Sequence, residues 1–245
     1  MKPDLNRVAS EYFPNAATEF ENRLILNWYP HRILSRLGRV SSILELGLGH
    51  GVTAPIFDAA CDRLVIVEGA SKVIDLFRAR TPEFRGEIVP SYFEDFVPNE
   101  RFDAIVMGFV LEHVDSPEDV LRLYRSYLKP GGRLYVAVPN AKSLNRRLGL
   151  ELGMIKDIYE LNANDRAQGH QRQYCRATLT RAVTEAGYWV SYEEGIYLKP
   201  LPLSVLRGLP NSDQNFQAML RVGIEFPDLC VGLLMELQIP DDTKP

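Results

Sequence analysis

The sequence predicts an α/β fold with a mostly parallel sheet and helices on both of its faces. Short apolar segments typical of buried strands alternate with amphipathic helical patterns along the central part of the chain. The chain has 245 residues, of which 46% are hydrophobic and 24% charged, which is ordinary usage for one large globular domain. In such sheets, ligands bind beyond the carboxyl ends of the strands.

The first half of this pattern contains four strands and the helices between them. Apolar segments at 42–46, 64–67, 87–90 and 102–107 predict the strands. The segment 52–60 is typical of a helix, and its Pro55 falls in the first turn, where proline is tolerated. After the second strand, Ser71 is in position to cap a helix with Val73, Ile74 and Phe77 on one face.

The second half begins with the clearest helix. Ser116 precedes Pro117 at the first helical position, and Glu118 and Asp119 complement the positive end of the helix dipole. The sequence KPGG at 129–132 ends this helix and leads into a fifth strand at 133–138. A helical face closed by Gly187 follows, and the segments 189–197 and 229–238 predict two final strands.

Two strand ends carry residues that indicate chemistry. The first strand runs into ELGLGHG at 45–51, whose three glycines allow a tight turn and a close approach to a ligand. The next strand ends at Glu68, whose carboxylate can accept hydrogen bonds from two ribose hydroxyls. Together they predict an adenosine-type cofactor, although a plain turn with a solvated acid has the same residues. The spacing disfavours both G-x-G-x-x-G of NAD sites and a P-loop.

These motifs resemble those of class I S-adenosylmethionine-dependent methyltransferases. Besides the glycine segment and Glu68, the sequences VLEHV at 110–114 and LKPGG at 128–132 resemble further motifs of that family in the same order, over about residues 41–197. The resemblance implies an enzyme that transfers a methyl group from S-adenosylmethionine to a small-molecule acceptor. It also implies a Rossmann-like sheet of seven mostly parallel strands, with the last strand antiparallel and beside the fifth.

The resemblance further implies which residues contact the cofactor. Its methionine part is expected against Glu45 and the glycine segment, its ribose against Glu68, and its adenine along 91–94, where Tyr92 replaces the aspartate of many members. The expected cofactor-binding residues are Glu45, Gly47, Gly49, Gly51, Glu68, Gly69, Tyr92, Phe93, Glu94, Gly108 and Phe109.

The connection over 139–174 is long for a strand-to-helix loop, which predicts a lid or a binding loop. The segment 140–181 has eight basic and four acidic residues in a chain of net charge −4, which favours an anionic acceptor, although solvated helix faces have the same composition. HQRQY at 170–174 resembles a family element, H-x-R-x-(F/Y). We predict His170 as the catalytic base with His113 and Tyr174 as alternatives, and Arg172 and Asn140 as substrate-binding residues.

The predicted organisation is one methyltransferase domain over residues 1–245. It has a helical cap at 1–40, a cofactor-binding core at 41–138, a lid at 139–174 and the C-terminal part of the sheet at 175–245. The sequence shows no basic tail, no secretory signal and no apolar segment of membrane-spanning length. We therefore expect a cytoplasmic monomer or homodimer with no nucleic-acid or membrane partner. The three cysteines form no pair typical of a zinc site, and no metal is expected.

The predicted reaction is O-methylation of a secondary metabolite, a sugar or a quinone-type acceptor. N-methylation and C-methylation remain open, because the residues do not distinguish the accepting atom. A non-catalytic cofactor-binding protein of the same fold is the alternative from another class.

Overall fold

A computed structural model describes residues 4–7 and 19–240 of the chain. The strands in these residues are β1 (Val40–Leu46), β2 (Cys61–Glu68), β3 (Glu87–Pro90), β4 (Phe102–Gly108), β5 (Leu128–Pro139), β6 (Trp189–Ile196) and β7 (Gly232–Gln238). The α-helices are α1 (Glu19–Leu37), α2 (Ala54–Asp58), α3 (Ser71–Arg80), α4 (Pro117–Arg125), α5 (Leu144–Glu151), α6 (Ala163–Ala167), α7 (Arg176–Glu185), α8 (Leu203–Arg207) and α9 (Ser212–Gly223). None of these helices is long and apolar enough to span a bilayer.

All seven strands belong to one sheet, in the order β3-β2-β1-β4-β5-β7-β6. The pairs from β3 to β5 are parallel, whereas β7 runs antiparallel to both β5 and β6. The predicted fold class is therefore confirmed, including the last strand beside the fifth.

The strand register brings the carboxyl ends of the parallel strands to one edge of the sheet. Glu45 of β1 pairs with Val106 of β4, and Glu68 of β2 pairs with the last residue of β3. Gly108 at the end of β4 pairs with Ala137 near the end of β5. The residues that follow these strands consequently lie side by side.

Apolar clusters cover both faces of the sheet, which explains why its strands are continuous apolar segments. On one face, Leu44 and Leu46 belong to the cluster that includes Val120 of α4 and Leu179 of α7. On the other face, the intervening Ile43 belongs to the cluster that includes residues of α1, α2 and α3.

Several predicted boundaries differ from the structure. Ala70, not Ser71, is the N-cap of α3, and its N–H donates to the Glu68 carboxylate. The KPGG sequence lies within β5, and the 139–174 connection contains the two short helices α5 and α6. The last strand begins at Gly232, since residues 226–230 form turns just before it.

Candidate functional site

The loop after β1 is built around glycines in a left-handed conformation. Gly47, Gly49 and Gly51 have φ angles of 82°, 47° and 72°, which residues with a side chain adopt only at a cost. The Gly47 N–H donates to the Val67 carbonyl oxygen over 2.8 Å, so the loop turns across the end of β2. A Cβ on Gly47 would lie 3.9 Å from both Phe93 and Val110, so the loop faces the segments that follow β3 and β4.

Glu45 lies at the base of this loop and is 2% exposed. The Thr53 hydroxyl donates a hydrogen bond to Oε1, whereas Oε2 has no hydrogen-bond partner among the described residues. Burial raises the pKa of Glu45 to about 8, against the lowering effect of the Thr53 hydrogen bond. A buried oxygen without a partner is rare in folded proteins, and here it fits a donor group of a ligand such as the cofactor's amino group.

Glu68 holds the other side of the loop. Its Oε2 accepts the N–H of Leu48 at 3.0 Å, and its Oε1 accepts that of Ala70 at 2.7 Å. Burial raises the pKa of Glu68, while these backbone amides oppose the shift. Glu68 thus connects the glycine loop to the start of α3, and its contact with a ribose remains a prediction.

The segment after β3, along which the adenine is expected, lies beside the glycine loop. The Phe93 ring faces the glycine loop, and its backbone carbonyl accepts the Tyr124 hydroxyl at 3.0 Å. Tyr92 is half-buried and Glu94 is exposed. A Cβ on Gly69 would lie 3.3 Å from a backbone oxygen of this segment, so the ends of β2 and β3 are close together there.

The end of β4 is tightly packed against α1. A Cβ on Gly108 would lie 2.1 Å from the hydroxyl oxygen of the buried Tyr29, so only glycine fits there. Phe109 follows with φ of 58°, a left-handed conformation that costs on the order of 1–3 kcal/mol in a non-glycine residue. Its ring meets that of Tyr29 edge-on, with centroids 5.7 Å apart. Such strain is concentrated at functional sites, which agrees with the place of Phe109 at the strand end.

Three side chains just beyond β4 form what we call the Glu–His–His cluster: Glu112, His113 and His170. One nitrogen or carboxyl oxygen from each lies within 4.8 Å of the other two. The two imidazole rings meet edge-to-face with centroids 4.7 Å apart, and Glu112 Oε1 lies 4.0 Å from His113 Nε2. Glu112 is 1% exposed, and neither carboxyl oxygen has a hydrogen-bond partner from another described residue.

Burial sets the charges of this cluster. It lowers the pKa of His170 to about 4, and together with the charge of His170 it lowers the pKa of His113 to about 4. Burial raises the pKa of Glu112 to about 8, against the attraction of Arg172. Both imidazoles are therefore uncharged at neutral pH and keep a nitrogen lone pair. Asp165 lies behind His170, with Oδ1 3.7 Å from Nδ1 and its backbone oxygen accepting the His170 N–H at 2.9 Å.

The residues after His170 bind the VLEHV segment through its backbone. The Gln171 N–H donates to the Glu112 carbonyl oxygen at 2.8 Å. The guanidinium of Arg172 donates to the carbonyl oxygens of Leu111, Val114 and Asp115, and the Tyr174 hydroxyl lies 3.5 Å from that of Leu111. In this structure, Arg172 and Tyr174 thus hold the segment that carries two members of the cluster.

Asn140 lies at the end of β5, where it is almost fully buried. Its side-chain amide donates to the carbonyl oxygens of Pro227 and Cys230, and its Oδ1 accepts the Lys142 N–H. It therefore fixes the chain that enters β7.

The structure brings two predicted histidines together, whereas Arg172, Tyr174 and Asn140 direct their hydrogen bonds at backbone groups. The catalytic and binding roles of all these residues remain predictions. Sequence reasoning did not select Glu112, although it stands in VLEHV beside His113. Its position just after the apolar segment of a predicted strand could have identified it as a candidate site residue.

Comparisons with known proteins agree with this arrangement. A family model described as "Methyltransferase domain" matches residues 18–192. An uncharacterized protein of Mycobacterium tuberculosis H37Rv is 38% identical over 126 residues, which cover 49% of this chain but only 43% of that protein. A ubiquinone biosynthesis O-methyltransferase of Proteus mirabilis is 23% identical over 202 residues, covering 80% of this chain and 79% of that protein.

Solved structures show the same fold at low sequence identity. The putative methyltransferase of Haloferax volcanii, solved in complex with the activator Trm112, has a TM-score of 0.64 and 16% identity, and the match covers 98% of this chain and all of that one. The N-methyltransferase NodS of Bradyrhizobium japonicum, solved with S-adenosyl-l-homocysteine, has a TM-score of 0.60 and 17% identity with 98% and 100% coverage.

The family model covers most of the chain, and its matched range includes the glycine loop, Glu68 and the VLEHV segment. The buried oxygen of Glu45 and the cradle of the glycine loop fit the cofactor of that family. The chain therefore belongs to the methyltransferase domain family and carries a domain of the class I S-adenosylmethionine-dependent type.

Proposed function

We propose that this protein transfers a methyl group from S-adenosylmethionine to a hydroxyl oxygen of a small polar acceptor. The observation that carries the proposal is the position of two groups at one edge of the sheet. The glycine loop with Glu68 lies at the ends of β1 and β2, and the Glu–His–His cluster follows the end of β4, which neighbours β1. The groups that we propose to bind the cofactor and to accept the proton therefore follow neighbouring strands.

The chain's own residues position the cofactor. Glu45 offers its unpartnered Oε2 to the amino group of the methionine part, and Glu68 offers its remaining acceptor positions to the ribose. Tyr92 and Phe93 provide an aromatic wall for the adenine. When bound, S-adenosylmethionine supplies a methyl group that is already strongly electrophilic.

The protein's main task toward the acceptor is to hold its oxygen in line with the methyl group. We assign removal of the hydroxyl proton to His170, with His113 next in line, because each presents an uncharged imidazole near the end of β4. Burial raises the pKa of Tyr174 to about 12, so its hydroxyl keeps its proton and serves as a donor. The O-methyltransferase name of the Proteus mirabilis relative supports a hydroxyl acceptor, including a quinone-type one.

The basic residues of the lid favour an anionic acceptor by charge alone, but two of its arginines are occupied by backbone oxygens. The Arg146 guanidinium donates to the carbonyl oxygens of Ile158 and Glu160, and the Arg147 guanidinium to those of Lys142 and Asp228. These arginines hold the lid together. We therefore propose a polar hydroxyl-bearing acceptor rather than one that must be anionic.

N-methylation is the second candidate. It is favoured by the structural match to NodS and by a glycopeptide N-methyltransferase of the same fold, MtfA, which has a TM-score of 0.58. An amine that loses its proton before the transfer needs no base. Under this alternative, loss of His170 has little effect on turnover.

The test is a screen of hydroxyl and amine acceptors with detection of the methylated product by mass. With a hydroxyl acceptor, His170→Ala should lower turnover by on the order of 10²-fold while leaving S-adenosylmethionine affinity nearly intact. His31→Ala, which removes an exposed histidine of α1, is the matched control and should turn over normally. Normal turnover by His170→Ala would refute its role, and a loss of cofactor binding would make it a structural residue.

A further inference from the structure

We propose that the Glu–His–His cluster binds one divalent cation of the zinc type, with Glu112, His113 and His170 as its three protein ligands. The cation would then hold the acceptor through its hydroxyl oxygen at a remaining coordination position. That second role depends on the proposed function, and in it the His113 and His170 nitrogens bind the cation instead of accepting the acceptor's proton directly. Cation binding itself does not depend on the proposed function.

The donor set is the first argument. Two imidazole nitrogens and one carboxyl oxygen are a ligand combination that proteins use for catalytic zinc, and three protein ligands leave a position open for a water or a substrate. Borderline cations such as Zn²⁺ and Co²⁺ suit imidazole, whereas Mg²⁺ prefers an all-oxygen set. The cluster therefore predicts selectivity for zinc over magnesium.

The distances are the second argument. Ligand atoms of a tetrahedral zinc site lie about 2.1 Å from the ion, and hence about 3.4 Å from one another. Glu112 Oε1 and His113 Nε2 are already 4.0 Å apart, and all three ligand atoms lie within 4.8 Å of one another. A bound ion therefore requires the Glu112–His113 pair to close by about 0.6 Å and the widest pair by up to about 1.4 Å, movements on the scale of side-chain rotation.

The unsatisfied Glu112 carboxyl is the third and independent argument. It is 1% exposed, and both of its oxygens lack a hydrogen-bond partner from any other described residue. An unpaired buried carboxyl costs stability, and such groups are paired or coordinate metals. Neither His113 nor His170 pairs with Glu112 at hydrogen-bond distance, so a cation between the three is the arrangement that satisfies it.

The residues around the cluster are the fourth argument. Asp165 Oδ1 lies 3.7 Å from His170 Nδ1, beyond hydrogen-bond distance, and that buried nitrogen has no hydrogen-bond partner among the described residues. The carbonyl oxygens of Gln168 and Gly169 favour the protonated form of His113, which places acceptors beside that ring as well. Glu112 and His113 are adjacent in sequence, and the hydrogen bonds of Gln171 and Arg172 to the VLEHV segment bring the distant His170 beside them.

The experiment is a titration of the untagged, chelator-treated protein with Zn²⁺ and Mg²⁺ by calorimetry, with Co²⁺ as a spectroscopic probe. We expect one zinc ion per chain, no magnesium binding of similar strength, and visible d–d bands of cobalt bound at fewer than six positions. Glu112→Gln and His170→Asn, which keep side-chain size, should weaken zinc binding at least about tenfold. The matched control is again His31→Ala, which should bind zinc as the wild type does.

The outcomes separate the two proposals. Zinc binding that is equal in the wild type and in folded cluster variants, or no zinc binding at all, overturns the cation site. If the chelator-treated protein still methylates a hydroxyl acceptor at the full rate, the cation has no part in transfer while the proposed function stands. If zinc binds at the cluster but no hydroxyl acceptor is methylated, the proposed function fails and the cation site stands. Melting curves of Glu112→Gln and His170→Asn identify any variant that has lost its fold.

Discussion

One carboxylate at the end of β2 serves the protein and, as we propose, its cofactor. Glu68 accepts backbone N–H groups from Leu48 and from Ala70, and so connects the glycine loop to the start of α3. The second bond also explains why Ser71 is not the cap of that helix, because the carboxylate already satisfies the backbone there. A substitution at Glu68 should therefore change the loop as well as the ribose contact.

Glu68→Ala should weaken S-adenosylmethionine binding by about 1–3 kcal/mol, since it removes hydrogen bonds to a charged group. Calorimetric titration measures this change. A thermal melt of the cofactor-free protein measures the effect of the substitution on the loop alone. We expect the Tm of the variant to be lower than that of the wild type. An unchanged dissociation constant would mean that Glu68 only supports the loop.

Single residues could be predicted from the sequence where their role follows from local position. Glu68 and the glycines were found because a strand end and a turn are visible in the pattern. Glu112 was not selected, because its burial and its proximity to His170 arise only when residues 170–174 bind the VLEHV segment. Arg172 was predicted as a substrate ligand on residue type, whereas the structure directs its donors at backbone oxygens.

At the scale of elements, α1 is fastened to the antiparallel side of the sheet by ion pairs with buried carboxylates. Arg32 pairs with Glu194 of β6, with nitrogen–oxygen distances of 2.7 and 2.9 Å, and Arg36 pairs with Glu236 of β7 at 2.9 Å. Glu194 also accepts the Tyr192 hydroxyl at 2.8 Å. These ion pairs with β6 and β7 therefore hold in place the same helix that brings Tyr29 to the end of β4.

Arg32→Met should lower the free energy of unfolding by on the order of 3 kcal/mol, because it leaves the fully buried Glu194 carboxylate without its cation. Denaturant unfolding measures the effect. The matched control is Arg39→Met, which breaks the exposed pair with Asp62 and should cost less than about 1 kcal/mol. Equal effects in the two variants would contradict the anchoring role of Arg32.

Most strands could be predicted from apolar patterning, because both faces of this sheet are buried. Strand order and direction could not, since periodicity carries no information on neighbours, and they followed from the resemblance to a family. Boundaries were less accurate where long-range contacts decide them. The segment before β7 is an example. The Asn140 side chain donates to the carbonyl oxygens of Pro227 and Cys230 in that segment, which lie 87 and 90 positions later in the sequence.

For the whole molecule, the cofactor should act as a stabiliser. A ligand that binds only the folded chain adds about 2.7 kcal/mol at one hundred times its dissociation constant. For a protein of this size, that corresponds to a rise in Tm of about 5–10 °C. S-adenosylmethionine and its demethylated product should both produce the rise in a thermal-shift assay, and NAD should not. A rise with NAD and none with S-adenosylmethionine would contradict the cofactor assignment.

The place of β7 between β5 and β6 has a consequence for how the chain is made. During synthesis, β6 emerges before β7, its one neighbour among the described strands, and β5 exposes one edge until residues 232–238 follow. At about 5–20 residues per second, this interval lasts a few seconds on the ribosome. Open strand edges promote association with other chains. Nascent chains stalled before Gly232 should therefore be the form of this protein that chaperones bind most and that aggregates most readily.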